Sequence, residues 1–300
     1  MLEERFRVNL LEGADPRTPA DLRRALRGSA AVLGMLSDPF TREVIESAPE
    51  LKVIATYAVG YNNIDIACCR ERGIRVCNTP DVLTEATAEL AFALLLAVSR
   101  RIVEGDRFTR EGRFTGWQPG LMLGVELWGK TCGVIGLGRI GAAFARRARA
   151  SGMDVVYANR SESPHAAAVQ ARRVPLEELL RTADVVSIHT PLNAESAGLL
   201  SRERLALLKA DAILVNTARG QVVDEAALVE LLRARRIFGA GLDVFEREPE
   251  LSPGLVDLPN VVLAPHAGSA TRETRAKMGE LCAQAIIDVL EGREPRNAVV

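Results

Sequence analysis

Residues 131–141 read Thr-Cys-Gly-Val-Ile-Gly-Leu-Gly-Arg-Ile-Gly, and this stretch decides the fold of the chain. An apolar run is followed by the spacing G-x-G-x-x-G at Gly136, Gly138 and Gly141, and then by an amphipathic run over 139–150. The pattern predicts a strand, a tight turn and a helix whose N-terminal N–H groups bind a dinucleotide pyrophosphate. The first glycine permits the turn, the second lets the pyrophosphate approach the backbone, and the third lets helix and strand pack closely.

A second glycine motif, residues 124–131, matches the phosphate-loop pattern G-x-x-x-x-G-K-[ST]. That loop needs a strand before it and a helix after it, so that its backbone N–H groups surround the phosphates. Here Lys130 and Thr131 lead into a strand, so we interpret the match as accidental. A P-loop NTPase stays an alternative that a failure to bind ATP would exclude.

Composition limits the classes of protein that this chain can represent. The 300 residues are 48% hydrophobic and 26% charged, which is typical of globular proteins and sufficient for two domains. The net charge of −1, without a basic run, predicts that nucleic acid is not a partner. The apolar runs are all too short to predict a membrane span. The odd count of five cysteines without C-x-x-C spacing predicts reduced thiols in a cytoplasmic protein and no metal site.

Strand and helix patterns alternate along the chain, which predicts an α/β protein with parallel sheets. Before the glycine motif, strands are expected near 6–11, 31–36, 51–57 and 74–77. From the motif onward we predict a six-stranded doubly wound sheet, with strands near 131–135, 154–158, 184–188, 212–216, 238–243 and 260–263. Thr18 and Thr41 are predicted to cap helices, and Thr271 is predicted to begin a final helix that packs on the first domain.

Two segments before the glycine motif predict interface structure. Residues 84 to about 110 predict one long helix, and its all-round apolarity from Ala86 to Val98 predicts burial between two domains. Residues 111–129 contain regularly spaced glycines and predict an irregular segment of the kind that is functional or lies in an interface. From both segments we expect a homodimer.

The residues after the second strand of the doubly wound sheet bear on cofactor choice. In such folds an acidic residue there binds the adenosine ribose 2′-OH. Asn159 stands in its place and is followed by Arg160 and Ser161. Asparagine does not repel a 2′-phosphate, and Arg160 can form charge-assisted hydrogen bonds with one, each worth about 1.5–3 kcal/mol. We therefore expect NADP(H) to be preferred, with NAD(H) left open; the alternative is a solvated loop arginine.

Three histidines are available for proton transfer. His165 lies in a polar loop and is expected to be solvated, whereas His189 and His266 follow strands at the edge where open α/β sheets bind ligands. The glycine- and serine-rich residues after His266 favour it only slightly, and a structural role stays open for each. Arg219 and Glu248 also follow strands, so with a histidine they form a candidate acid–base set; the alternatives are a surface charge and a solvated turn.

Several motifs together resemble the D-isomer-specific 2-hydroxyacid dehydrogenase family. The resemblance spans nearly the whole chain and is carried by residues 58–65, 136–141, 216–220, 241–245 with 248–249, and 265–271. Within the family, residues 78–84 and 159–161 are most similar to glyoxylate/hydroxypyruvate reductases, including 2-ketogluconate-type reductases. The resemblance implies two doubly wound domains: a flavodoxin-like substrate-binding domain over 1–95 plus 272–300, and a Rossmann dinucleotide-binding domain over 96–271.

The activity implied by this resemblance is the NAD(P)H-dependent reduction of a small 2-keto acid of the glyoxylate/hydroxypyruvate class to the D-2-hydroxy acid. The implied catalytic residues are Arg219, Glu248 and His266. Arg219 binds the substrate carboxylate and polarises the carbonyl, His266 donates the proton to the forming alkoxide, and Glu248 orients the imidazole.

The resemblance also implies binding residues. Asp243 is expected to hold the nicotinamide carboxamide, and Thr190 with Pro191 to line the adenine side. The residues expected to bind substrate are Leu36, Val59, Gly60, Arg219 and Trp117, the last from this or a partner subunit. The residues expected to contact the cofactor are Gly136, Leu137, Gly138, Arg139, Ile140, Gly141, Asn159, Arg160, Ser161, Thr190, Pro191, Thr217, Ala218, Asp243 and Gly268.

The start of the chain departs from the family pattern. Relatives begin with a strand and most of a helix before the region that matches residues 1–6, so we expect either a first domain without its first strand or a start codon further upstream.

Other members of the family are the main alternatives. A D-lactate/phenylpyruvate-type or 2-ketogluconate reductase differs in substrate alone. A non-catalytic, NAD(H)-sensing corepressor-like relative is disfavoured by the intact Arg219, Glu248 and His266. Phosphoglycerate dehydrogenase is disfavoured because no regulatory extension follows Val300, and formate dehydrogenase because its pattern has glutamine at the position of Glu248.

Overall fold

The computed structural model describes residues 1–11 and 17–300. The chain divides into two compact units: the first unit comprises Met1–Leu83 with Ala270–Val300, and the second unit comprises Thr84–Ser269. The division falls at residue 84, not after residue 95, because the helix Thr84–Ser99 packs against strands and helices of the second unit.

The first unit contains a sheet of three parallel strands in the order β1-β2-β3, namely β1 (Ala31–Gly34), β2 (Val53–Thr56) and β3 (Arg75–Cys77). Its first helices are α1 (Pro19–Ala25), α2 (Arg42–Glu46) and α3 (Ile66–Glu71). Successive side chains of a strand point to opposite faces of the sheet. Ile54 therefore joins the apolar cluster of these helices, whereas Val53 and Ala55 face the opposite side.

Local sequence signals explain the helix starts of the first unit. Thr18 and Asp21 exchange side-chain-to-backbone hydrogen bonds in a capping box, and Pro19 occupies the first helical position. Thr41 caps α2 through the Val44 N–H, as predicted. The strand expected at 6–11 is wrong: these residues form none, and Leu10 is 80% exposed, so the alternating pattern has no buried face to cover.

The second unit contains a parallel sheet of seven strands in the order β10-β9-β8-β7-β4-β5-β6. The strands are β4 (Thr131–Ile135), β5 (Asp154–Ala158), β6 (Arg172–Arg173), β7 (Val185–Ile188), β8 (Ile213–Asn216), β9 (Gly239–Leu242) and β10 (Val261–Leu263). The six predicted strands are confirmed, and the prediction lacked β6 because two arginines form no apolar run. The order reverses between β4 and β7, which places a crevice at their carboxyl ends.

The helices of the second unit are α4 (Thr84–Ser99), α5 (Ile102–Arg110), α6 (Arg139–Ala150), α7 (Leu176–Thr182), α8 (Arg202–Leu205) and α9 (Glu225–Arg233). The single long helix expected from residue 84 to 110 is wrong, because Arg101 adopts φ 52° and a left-handed residue cannot continue an α-helix. Arg101 instead pairs with Glu104 at 2.7 Å. The buried face of α4 packs on α6, β8 and β9.

The chain returns to the first unit in α10 (Arg272–Leu290), which Thr271 caps through the Thr274 N–H. Cys282, Ala285 and Ile286 of this helix pack on the face of β2 that the earlier helices leave uncovered, so the predicted position of the final helix is confirmed. Among the helices of residues 1–11 and 17–300, none combines the length and the apolar character that a bilayer span requires.

Candidate active site

The turn between β4 and α6 is built as the glycine spacing predicts. Gly136 adopts φ 94°, which favours glycine, and a Cβ there would lie 2.7 Å from the Thr190 nitrogen. A Cβ at Gly141 would lie 2.2 Å from the Gly136 carbonyl oxygen, so this glycine permits α6 to pack closely on the turn. A Cβ at Gly138 would meet nothing within 4 Å, which leaves this side of the turn open for a ligand.

A cavity of about 770 Å³ adjoins this turn, at the carboxyl ends of β4, β5 and β7. Its volume lies in the range of small-molecule and cofactor sites. Its lining includes Gly136, Gly138, Asn159, Arg160, Ser161, Arg173, Thr190 and Pro191. The cavity therefore joins the glycine turn to the residues that follow β5, and these residues fit a dinucleotide.

The residues after β5 are linked by hydrogen bonds. The Oδ1 atom of Asn159 accepts the Leu137 N–H at 2.8 Å. Asn159, which stands where an acidic residue was expected, therefore links the glycine turn to the end of β5 by a hydrogen bond. Arg173 donates to the Asn159 carbonyl at 2.9 Å, and Arg160 pairs with Glu195 at 2.6 Å. Two guanidinium groups thus line the cavity.

Arg219 follows β8 in a loop that packs directly on the loop after β9. The Nδ2 atom of Asn216 donates to the Arg219 carbonyl at 3.0 Å. A Cβ at Gly220 would lie 1.9 Å from the Phe245 carbonyl carbon, so only glycine permits this approach. Burial lowers the pKa of Arg219 and the nearby Glu248 carboxylate opposes that effect. The guanidinium remains protonated at neutral pH because its ordinary pKa is so high.

His266 and Glu248 form a direct pair, with 2.8 Å between Nδ1 of the imidazole and Oε2 of the carboxylate. The Oε1 atom of Glu248 accepts the Phe245 N–H at 3.0 Å. Burial alone would raise the pKa of Glu248, but the hydrogen bond and charge of His266, the Phe245 N–H and Arg219 together lower it. The carboxylate is therefore ionised at neutral pH, and Nε2 is the ring nitrogen left for proton transfer.

Asp243 shapes the loop that carries His266. Its carboxylate accepts the N–H groups of Ala267 at 2.6 Å and Gly268 at 2.8 Å, and its carbonyl accepts the His266 N–H at 2.9 Å. His266 adopts φ 51°, a conformation that is uncommon outside glycine. Burial raises the pKa of Asp243, and these N–H groups oppose the rise without cancelling it. Contact between Asp243 and the cofactor stays a prediction.

His189, the other histidine at the sheet edge, has different surroundings. Its Nε2 atom lies 2.8 Å from the Ser187 hydroxyl, and its ring packs against Phe144 with 5.1 Å between centroids. Its Nδ1 atom is buried without a hydrogen-bond partner in the described part of the chain. Burial lowers the pKa of His189 to about 3, so the ring is neutral at physiological pH. This environment corresponds to the structural role.

The remaining predicted site residues stay predictions. Arg139 and Ile140 lie in the first turn of α6, and Thr217 and Ala218 follow β8. The Thr217 hydroxyl is buried without a hydrogen-bond partner among the described residues, which is compatible with a ligand contact. The substrate residues Leu36, Val59 and Gly60 belong to the first unit, and Trp117, which belongs to the second, is 82% exposed.

Sequence reasoning missed three residues that hold the site together. Asn216 fixes the backbone of Arg219, Gly220 permits the contact between two loops, and Glu225 binds both ends of the segment that carries Glu248. Asn216 and Gly220 lie in a motif that the resemblance had already marked. The contacts of Glu225 could not be predicted from the sequence, because an acidic residue in the first turn of a helix is common.

A seven-stranded Rossmann sheet, a glycine turn at its switch point and an arginine, a carboxylate and an imidazole after adjacent strands define an NAD(P)-dependent oxidoreductase. Residues 92–268 match the family model described as "D-isomer specific 2-hydroxyacid dehydrogenase, NAD binding domain". The chain belongs to the D-isomer specific 2-hydroxyacid dehydrogenase family, which confirms the resemblance found in the sequence.

Individual relatives agree with this placement. The chain is 47% identical to a glyoxylate reductase of Thermococcus litoralis, over 100% of this chain and 92% of the relative. A crystal structure of a Thermus thermophilus protein superposes with a TM-score of 0.89 and 52% identity, covering 94% of this chain and 89% of that one. The NADPH-dependent glyoxylate/hydroxypyruvate reductase of Sinorhizobium meliloti, solved with NADP and malonate, has a TM-score of 0.82 and 36% identity, covering 90% and 83%.

Proposed function

We propose that this protein reduces glyoxylate to glycolate, and similar small 2-keto acids to the corresponding D-2-hydroxy acids, with NADPH as the preferred reductant. The observation that carries the proposal is the 2.8 Å pair of His266 and Glu248, with Arg219 close enough for its charge to act on Glu248. The Thermococcus litoralis relative, a glyoxylate reductase, supports glyoxylate as the substrate.

Each of the three side chains has one task in this reaction. Arg219 binds the substrate carboxylate and polarises the keto oxygen, because a guanidinium offers parallel N–H donors. Protonated His266 donates a proton from Nε2 to the keto oxygen as negative charge develops there. Glu248 holds Nδ1 and stabilises the imidazolium. The bound nicotinamide supplies the hydride that reduces the keto carbon.

A substrate panel tests this function. The purified protein is assayed for NADPH oxidation with glyoxylate, hydroxypyruvate, pyruvate, phenylpyruvate and 2-ketogluconate. We expect the highest kcat/KM with glyoxylate or hydroxypyruvate. A maximum with pyruvate or phenylpyruvate would assign the chain to the D-lactate type, a maximum with 2-ketogluconate to that reductase, and no oxidation with any acid would contradict an enzymatic role.

The proposed preference for NADPH rests on the charges that line the cavity beside β5. Arg160 and Arg173 supply two positive groups, and Asn159 removes the negative charge that would repel a 2′-phosphate. Glu195 pairs with Arg160 at an exposed position, where ion pairs are weak, so a 2′-phosphate can replace it as the partner. The Sinorhizobium meliloti relative, which was solved with NADP, supports this preference.

Replacement of Arg160 tests the cofactor preference. In Arg160→Ala we expect kcat/KM for NADPH to fall about 10-fold or more, because a charge-assisted hydrogen bond is lost, while the value for NADH stays within about twofold. The binding of 2′,5′-ADP, followed by calorimetry, is expected to weaken equally. The control is Glu195→Gln, which removes a competing charge and is expected to keep or strengthen that binding. Equal losses for the two cofactors would contradict the preference.

The proposed homodimer rests on exposed apolar side chains between α4 and β4. These are Ile102, Val103, Phe114, Trp117, Leu123 and Trp128, and they lie in or beside the irregular segment 111–129. Apolar residues that cluster at a surface are typical of interfaces. Sedimentation analysis is expected to show two copies, and Trp117→Ser is expected to weaken their association.

A further inference from the structure

A buried carboxylate outside the catalytic three lies in the second unit. Glu225, the first residue of α9, is 3% exposed. Its Oε2 atom accepts the Glu246 N–H at 3.0 Å, and its Oε1 atom accepts the Ser252 N–H at 3.1 Å. A buried carboxyl group needs hydrogen bonds that replace those lost from water, and here the two backbone N–H groups provide them.

The two N–H groups belong to the two ends of one segment, residues 246–252, which we call the Glu248 loop. Residues 247–250 of this loop are exposed and lie outside any helix or sheet, so little apolar packing determines their conformation. A turn closes them, in which the Glu250 N–H donates to the Arg247 carbonyl at 2.9 Å. The position of the loop therefore depends on how its ends are fixed.

Further contacts fix the first end of the Glu248 loop: Gly220 packs against the backbone of Phe245 and Glu246, and the Phe245 N–H donates to the Glu248 carboxylate. Gln221 donates from Nε2 to the Glu246 carbonyl at 2.8 Å, but its side chain lies at the surface. Glu225 is the buried anchor, and it alone among these contacts reaches both ends. The loop carries the carboxylate that meets Nδ1 of His266 at 2.8 Å, a distance that a small displacement of the loop would lengthen.

We propose that Glu225 is a positioning residue, which acts through Glu248 on the orientation of the His266 imidazole. The inference rests on the proposed roles of Glu248 and His266. Glu225 contacts neither substrate nor cofactor in this scheme. It holds the ends of the Glu248 loop so that the carboxylate stays within hydrogen-bond distance of the ring.

The test is Glu225→Gln, which keeps the shape of the side chain but places an NH₂ group against one of the two backbone N–H groups. We expect kcat to fall about 10- to 100-fold, because misplaced catalytic groups lose rate even when each is intact. We expect the NADPH dissociation constant, measured by fluorescence without substrate, to stay within about twofold. The matched control is Asp224→Ala, which removes the N-cap of the same helix and is expected to lower Tm by about 2–4 °C with kcat unchanged.

A double-mutant cycle separates positioning from general destabilisation. If Glu225 acts through Glu248, then adding Glu225→Gln to Glu248→Gln lowers kcat by less than about twofold further. A full additional loss in the double mutant, or a normal kcat in Glu225→Gln, overturns the inference. If Glu225→Gln does not fold, Glu225→Asp, which keeps the carboxyl group but is one methylene shorter, serves in the same cycle. Normal activity of Glu248→Gln itself would instead overturn the proposed function.

Discussion

The loops after β7 and β10 each place a histidine at the same edge of one sheet, yet the two rings are suited to different tasks. His266 pairs through Nδ1 with an ionised carboxylate, and its Nε2 atom is the proposed proton donor. His189 packs against Phe144, has a neutral hydroxyl as its partner, and its pKa is lowered to about 3. Position at the ligand-binding edge is thus insufficient to define a role, since burial keeps the His189 ring neutral at physiological pH, whereas His266 has a carboxylate as its hydrogen-bond partner.

The largest expected difference between the two loops is in kcat after the imidazole of His266 or of His189 is removed. His266→Ala is expected to lower kcat by about 10²–10⁴-fold, because the proton donor is lost. His189→Asn is expected to keep kcat within about threefold, since that ring is neutral and takes no part in the chemistry. Steady-state assays with glyoxylate and NADPH measure both. A larger loss of kcat in His189→Asn than in His266→Ala would identify His189 as the proton donor and refute the proposed scheme.

Replacing Glu248, the carboxylate partner of His266, is expected to lower kcat by less than removing the imidazole itself. Glu248→Gln keeps an acceptor near Nδ1 but removes the charge that stabilises the imidazolium, so we expect kcat to fall about 10²-fold. The NADPH dissociation constant is expected to be unaffected. Ser187→Ala is the corresponding change at the other ring, and it is expected to leave kcat unaltered. A fall of similar size in Ser187→Ala would contradict the distinction between the two rings.

The last expected difference concerns stability at acidic pH and leaves kcat at neutral pH unaffected. His189 has a pKa of about 3 in the folded protein and about 6.5 when unfolded, so the unfolded chain binds the extra proton first. The contribution of the buried neutral ring to the free energy of unfolding is therefore fully present above about pH 6.5. It is lost as the pH falls from about 6.5 towards 3. We expect the free energy of unfolding of His189→Asn to fall less steeply over this range than that of the unaltered protein. Urea titrations at several pH values measure this, and parallel curves would count against a buried neutral ring.

Much of the second unit is predictable because its determinants are local. Buried parallel strands appear as apolar runs, and the glycines at 136 and 141 each meet a steric demand that a Cβ would violate. The break at Arg101 was missed, since an arginine carries no sign of a left-handed conformation. The two-residue strand β6 was missed because it has no apolar run.

The candidate site was less accessible to sequence reasoning than the sheet. The rule that ligands bind at carboxyl ends of strands selected Arg219, Glu248 and two histidines, but it did not separate His189 from His266. That choice depends on burial and on a partner distant in the chain, which are tertiary properties. The roles carried over from the family resemblance await the measurements above.

The close approach at Gly220 has a consequence for variation in this protein. The backbone after β8 and the backbone after β9 are in contact at Gly220, where a methyl group has no room. The segments that carry Arg219 and Glu248 are therefore packed directly against each other. An alanine at 220 would keep the chemical groups of Arg219, Glu248 and His266 but would force these two backbone segments apart. Loss of activity in such a variant would then report on the spacing of the backbone, and no change in the reacting groups would be needed to explain it.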